Sequence, residues 1–151
     1  MPFKMHGQDE WRRRAAEWEG TMKGPIIYIF YSVTEDHYCK SNNSCCKMMR
    51  KLQAIHREKK HFPDIRYNFC IGGNGHVYEG RGWKIRPSLP SKWVEFQPRS
   101  LFVALIGHFY DCNPTEKMFF ARRKLLEYGV ARKYISSKVL EVHVPPDLVP
   151  N

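Results

Sequence analysis

Residues 64–83 read DIRYNFCIGGNGHVYEGRGW. Tyr67, Phe69 and Ile71 alternate along the first half, Asn74-Gly75 is the dipeptide favoured in a two-residue hairpin turn, and Val77 and Tyr78 resume a strand. The stretch predicts a β-hairpin that ends on Gly80-Arg81-Gly82-Trp83. Outward from it lie two longer apolar runs, IIYIFYSV at 26–33 and LFVALIGHF at 101–109. Both are rich in β-branched and aromatic residues and read as central strands buried on both faces. KVLEVHV at 138–144 reads as a last short strand.

Helical periodicity fills the gaps. CCKMMRKLQAIHREKKHF at 45–62 places Met48, Leu52 and Ile55 on an inner stripe, with Asn43 or Ser44 available as the N-cap. Lys51, Arg57, Lys59 and Lys60 fall on its outer face, the usual pattern of a solvated helix surface. Asn113-Pro114 opens a second helix with Glu116 near its positive end, and Leu125, Leu126 and Gly129 close it. Trp11, Ala15, Trp18 and Met22 share one face of a short helix over 9–22, which docks on the domain and is broken by Gly24-Pro25. KIRPSLPSKWVEFQPR at 84–99 holds three prolines and no period, so it reads as an exposed loop. The order β-α-β-β-α-β gives a mixed α/β fold, a central, mostly parallel mixed sheet flanked by helices. The domain runs over 25–145, after an N-terminal segment of 1–24 and before a tail of 146–151.

Composition narrows the function classes. The chain has 151 residues, 42% of them hydrophobic, which suits one folded domain with a real core. Its 25 Lys and Arg against 15 Asp and Glu leave a net charge of +10, which selects anionic partners: nucleic acid, acidic lipid or a wall polymer. Aromatics do not interleave with Lys and Arg as a base-stacking surface requires, so nucleic acid is the weakest of these. No stretch reaches the ~18 apolar residues of a membrane span, and residues 1–20 lack the apolar core of a secretory signal, so an intracellular isoform, or a domain cut from a longer anchored protein, is the expectation. Of five cysteines, Cys70 sits in an apolar strand pattern as a buried thiol, and the polar spacer KSNNS between Cys39 and Cys45 would allow a small ring.

The hairpin block, the Gln53-x-x-His56 of the preceding helix, the Cys39-x5-Cys45 pair, SLFVALIGHF at 100–109 and LLEYGV at 125–130 together resemble the peptidoglycan recognition proteins, relatives of zinc-dependent amidases. The resemblance implies a groove for muropeptide on one sheet face, a Cys39–Cys45 disulfide, an extracellular or cell-surface setting, and a C-terminal helix for which this chain has no counterpart. Active members cleave the amide between N-acetylmuramic acid and L-alanine with a zinc held by two histidines and a cysteine, helped by a tyrosine. In this alignment Tyr31 takes the first histidine's place, His143 matches the second, Asn151 takes the cysteine's place, and Tyr67 matches the tyrosine. Catalytic zinc needs three protein ligands, so the expectation is no zinc or other cofactor, no catalytic residue, and a protein that holds rather than cleaves; a residual zinc amidase is the alternative. Gly82-Trp83 matches the pattern of members that prefer diaminopimelate (DAP) stems, with Arg81, Arg86 and Arg99 as nearby cations and Tyr67 in the groove. The resemblance also implies, as a second mode, pairing with a related recognition protein. Phe102 and the long 84–99 segment add bulk where that groove is expected.

Overall fold

The computed structural model describes residues 3–11, 20–109 and 113–145. Its centre is a six-stranded sheet in the order β1-β4-β3-β5-β2-β6. β2 (Ile26–Val33), β5 (Ser100–Leu105) and β6 (Ile135–His143) run parallel. β3 (Phe69–Ile71) joins β5 in parallel and β4 (Val77–Glu79) in antiparallel, and β1 (Met5–His6) adds a two-residue parallel edge beside β4. α1 (Asn42–Ala54), continued by a wider turn at Ile55–Lys59, covers one face, and α2 (Glu116–Ala131) covers the other. The expected helix over 9–22 falls largely outside the described residues. Trp11, at its start, is fully buried and donates from Nε1 to the Glu79 carbonyl at 2.7 Å.

Strand alternation divides the core. Phe30, Cys70, Phe102 and Ala104 point to α1, where they meet Cys45, Met49 and Leu52; Ile29, Tyr31, Phe69, Ile71 and Val103 point to α2, where they meet Met118, Ala121 and Leu125. Both faces are filled, as a mostly parallel sheet requires.

Several local expectations shift. The hairpin turn spans Gly72–His76 instead of Asn74-Gly75 alone, because Gly72 N–H bonds the His76 carbonyl and Gly75 N–H bonds the Gly72 carbonyl. Ser41, not Asn43 or Ser44, caps α1: its hydroxyl accepts from Ser44 N–H at 3.1 Å while Ser44 Oγ accepts from Ser41 N–H at 3.2 Å. The inner stripe of α1 is Cys45, Met49, Leu52 and Gln53, with Met48 and Ile55 only half-buried. Gly129 lies inside α2, where an added Cβ would come within 2.4 Å of Ile135 Cδ1; Lys133, at φ +65°, makes the left-handed turn beyond the helix instead. β6 is nine residues long because Ile135 already pairs with Ile26.

The segment 84–99 differs most from expectation. Pro87, Ser88, Leu89 and Pro90 are buried, and Ser91–Arg99 form a 3-10 helix. The prolines are accommodated because side chains take over the backbone bonding: Arg66 Nε donates to the Ser88 carbonyl at 3.0 Å, and Leu89 N–H donates to Gln97 Oε1 at 3.0 Å.

Candidate functional site

The hairpin block is pinned to its surroundings by three buried polar side chains. Asn68 bridges three segments: its amide donates to the Gly82 and Ile85 carbonyls at 2.9 and 2.8 Å, and its oxygen accepts from Phe102 N–H at 2.7 Å. Gln53 donates to Asp64 Oδ1 at 2.9 Å, and His56 Nδ1 accepts from Arg66 N–H at 3.0 Å, so Gln53 of α1 and His56 of the wider turn that continues it clamp the helix to the start of the block. Cys39 and Cys45 are joined in a disulfide that ties the loop after β2 to the first turn of α1. Cys46 and Cys70 are buried free thiols, and burial pushes the Cys70 thiol up.

The residues expected to form a ligand site do not converge. Tyr67 is fully buried, with its ring edge-on to Phe102 at 4.8 Å and to His56 at 5.5 Å. Arg81, 4% exposed, donates to the Ile65 carbonyl at 2.6 Å, the Arg86 carbonyl at 2.8 Å and Ser88 Oγ at 2.7 Å, so it organises the following loop from inside. Arg86 donates to the Thr21 carbonyl at 3.1 Å and Arg99 to the Pro25 carbonyl at 3.1 Å, both fastening the segment before β2. Gly82 takes φ +77°, which favours glycine, and turns Trp83 towards the α2 side. There Trp83 stacks on Tyr134 at 5.0 Å and, with Lys84 and Lys133, borders a cavity of about 440 Å³.

Alternation also separates the positions compared with zinc ligands. Tyr67 belongs to the α1 face, whereas Tyr31 belongs to the α2 face and stacks against His143 at 5.7 Å. The Tyr31 hydroxyl donates to Glu141 Oε1 at 2.7 Å, and the Arg122 guanidinium lies 3.8 Å above its ring and 3.6 Å from Glu141. Burial, then the Glu141 bond, raises the Tyr31 phenol far above its usual range, so it stays protonated. On the face that Tyr67 occupies, the ends of β2 and β6 present Phe30, Ser32, Val142 and Val144. Among the described residues no three His, Cys, Asp or Glu side chains gather where they could hold a metal. One imidazole beside a carboxylate already neutralised by arginine does not fit a catalytic zinc.

The face of Tyr67 is roofed. Trp93 and Phe96 of the 3-10 helix reach back over β2, with Trp93 5.5 Å from the Phe30 ring and Phe96 5.1 Å from the Tyr28 ring. Phe102 fills the strand beneath.

A family profile described as N-acetylmuramoyl-L-alanine amidase matches residues 22–144. Peptidoglycan recognition protein 1 of Mus musculus is 35% identical over 131 residues, covering 86% of this chain and 70% of its own length. The chain belongs to the peptidoglycan recognition protein family. Solved members agree in three dimensions. Peptidoglycan recognition protein LE in complex with tracheal cytotoxin, a monomeric diaminopimelic acid-type peptidoglycan, superposes with TM-score 0.87 at 25% identity over 95% of this chain and 82% of that one. The ectodomain complex of recognition proteins LCa and LCx bound to tracheal cytotoxin gives 0.88 at 27% over 93% and 84%.

For this family member, sequence pointed to bulk from Phe102 and the 84–99 segment over the groove, but not to Asn68, nor to the 3-10 helix that seats Trp93 and Phe96 on β2. The Asn in YNF carried a signal, since a polar residue between two aromatic strand positions must be satisfied from its surroundings. The helical form of the roof carried none: its aromatics stand among prolines and charges, with no period to mark a buried face.

Proposed function

We propose that this protein is a non-catalytic peptidoglycan recognition protein of innate immune sensing or its regulation, acting by pairing with a related receptor that holds the muropeptide. The observation that carries the reading is the pair of surfaces at the ends of β2 and β6. On the Tyr67 side they offer Ser32 and valines, and on the other side Arg122 and Glu141 engage Tyr31 next to His143. Neither surface gathers, among the described residues, the three ligating side chains that would hold a Lewis acid against an amide bond approached there. Trp93 and Phe96 over Phe30 and Tyr28 argue against a muropeptide lying on the same face, because steric overlap subtracts from every favourable contact.

Direct binding of DAP-type muropeptide is the second reading, favoured by the half-exposed Trp83 beside Lys84 and Lys133. The flat ring supplies an apolar wall and the ammonium groups a partner for a stem carboxylate. Calorimetric titration of the protein with a purified DAP-type muropeptide, alone and with a binding-competent family member present, separates the two. Pairing predicts heat from this chain only in the second titration. Saturable heat with the chain alone replaces pairing by direct binding, and no heat from this chain in either removes the recognition role.

A further inference from the structure

Where the hairpin tip meets the first turns of α2, Phe3, Phe119 and Phe120 floor a concave cavity of about 610 Å³. Phe119 and Phe120 each remain 46% exposed, two neighbouring phenylalanines on one helix rather than a scattered apolar side chain. The walls are held in place by packing. A Cβ on Gly75 would come within 2.8 Å of Lys117 Cβ, so the hairpin backbone lies directly on α2. Phe3 meets Tyr128 edge-on at 5.9 Å, and the adjoining β1 is fastened by its pairing with β4 and by the 2.8 Å bond between His6 Nε2 and His76 Nδ1. Around the rim stand Lys4, Lys117 and Arg123, all exposed and none in an ion pair among the described residues. Arg123 lies over the Phe120 ring at 5.6 Å. The described lining carries a single carboxylate, Glu116.

We propose that this cavity docks an acidic peptide segment of a partner protein, with one aromatic or large aliphatic side chain seated on Phe119 and Phe120 and flanking carboxylates on Lys4, Lys117 and Arg123. An apolar floor supplies the anchor energy and a cationic rim supplies steering and register. A second copy of this chain is a poor occupant, since it carries the same rim and a net charge of +10. A lipid surface is flat and leaves the concavity unfilled, whereas a single side chain enters it. The cavity lies on the α2 side, across the sheet from Tyr67 and the roof, so the proposal stands apart from the fate of the groove.

The test is fluorescence anisotropy on the full chain with a labelled probe peptide of alternating Glu and Asp around one central Phe, beside the same peptide with Ser for Phe. Expected are saturable binding of the Phe peptide that weakens steadily with salt, and loss of binding with the Ser peptide. The Lys117→Glu/Arg123→Glu variant should bind about tenfold or more weakly, and Phe119→Ser/Phe120→Ser should lose binding, both with wild-type thermal melting since all four side chains are exposed. Absence of saturable binding, equal affinity for the Ser peptide, or unchanged affinity in both variants overturns the proposal. So does concentration-dependent self-association in sedimentation that Phe119→Ser/Phe120→Ser abolishes, or binding through these residues to phosphatidylserine vesicles without binding to the peptide.

Discussion

Replacing Asn68 by Ala should be among the most damaging single changes in this domain. The side chain is fully buried and makes three hydrogen bonds, to the Gly82 and Ile85 carbonyls and from Phe102 N–H, at 2.7 to 2.9 Å. Truncation leaves two carbonyls and one amide without that partner in a space closed to water, at about 1–3 kcal/mol for each group left bare. Partial relaxation of the Gly82–Ile85 loop towards solvent recovers some of this, so the expected loss is about 3–5 kcal/mol. A domain of this size has about 5–15 kcal/mol in total, and each kcal/mol moves Tm by about 2–4 °C, so the melting point should fall by about 6–20 °C. Asn68→Asp provides a pH-dependent signature. Its carboxylate keeps the Phe102 contact but turns a lone pair towards two carbonyls, which raises its folded pKa above the unfolded value of about 3.9. Stability is then retained below that unfolded value and lost as pH rises through the folded one. Urea unfolding followed by tryptophan fluorescence at pH 4 and pH 7 reads both effects. An Asn68→Ala loss under about 1 kcal/mol, or an Asn68→Asp variant equally stable at the two pH values, would refute the bridging role.

Other expectations concern distinct parts of the fold. Replacing Cys39 and Cys45 by Ser opens a ring with a sequence separation of 6 and should cost about 2.4 kcal/mol by loop entropy, read as a lower urea midpoint for the variant than for the unreduced wild type; equal midpoints would contradict it. The His76 imidazole is held below its usual pKa by burial first, then by His6, Lys4 and Lys117, with Glu10 opposing. The unfolded chain therefore binds the proton first, so stability is full above about pH 6.5 and falls as pH drops below it; His76→Gln should flatten that slope in urea midpoints between pH 7.5 and 5, and parallel slopes would count against it. Trp93→Ala with Phe96→Ala should uncover Phe30 and Tyr28, raising binding of the apolar dye ANS at a cost of a few kcal/mol in stability, about the range for partly buried aromatics; unchanged dye fluorescence would mean the roof is not there.

The hairpin block was legible because its signals agree: strand residues on either side of a glycine-rich turn, and a family pattern across twenty positions. The depth of β2 and β5 was legible for the same reason, since runs apolar on both faces belong inside a parallel sheet. That uniformity also hid the site. With both faces of β2 buried, period two gives no sign of which side Tyr31 takes, and a ligand set read along the chain joined residues that the sheet separates: Tyr67 towards α1, Tyr31 and His143 towards α2. The 84–99 segment hides its burial because side chains without a periodic pattern, Arg66 and Arg81 from before it and Gln97 from within it, satisfy a backbone that composition alone leaves exposed. β1 is two residues long and carries no period at all; only its pairing with β4 reveals it.

The central claim is that a cleaving scaffold here serves recognition without cleavage, and the most direct measurement is turnover itself. Purified protein, supplied with zinc and incubated with DAP-type sacculi, should release no soluble stem peptide above a protein-free blank by mass spectrometry. Stem peptide accumulating in proportion to protein and time would contradict the account.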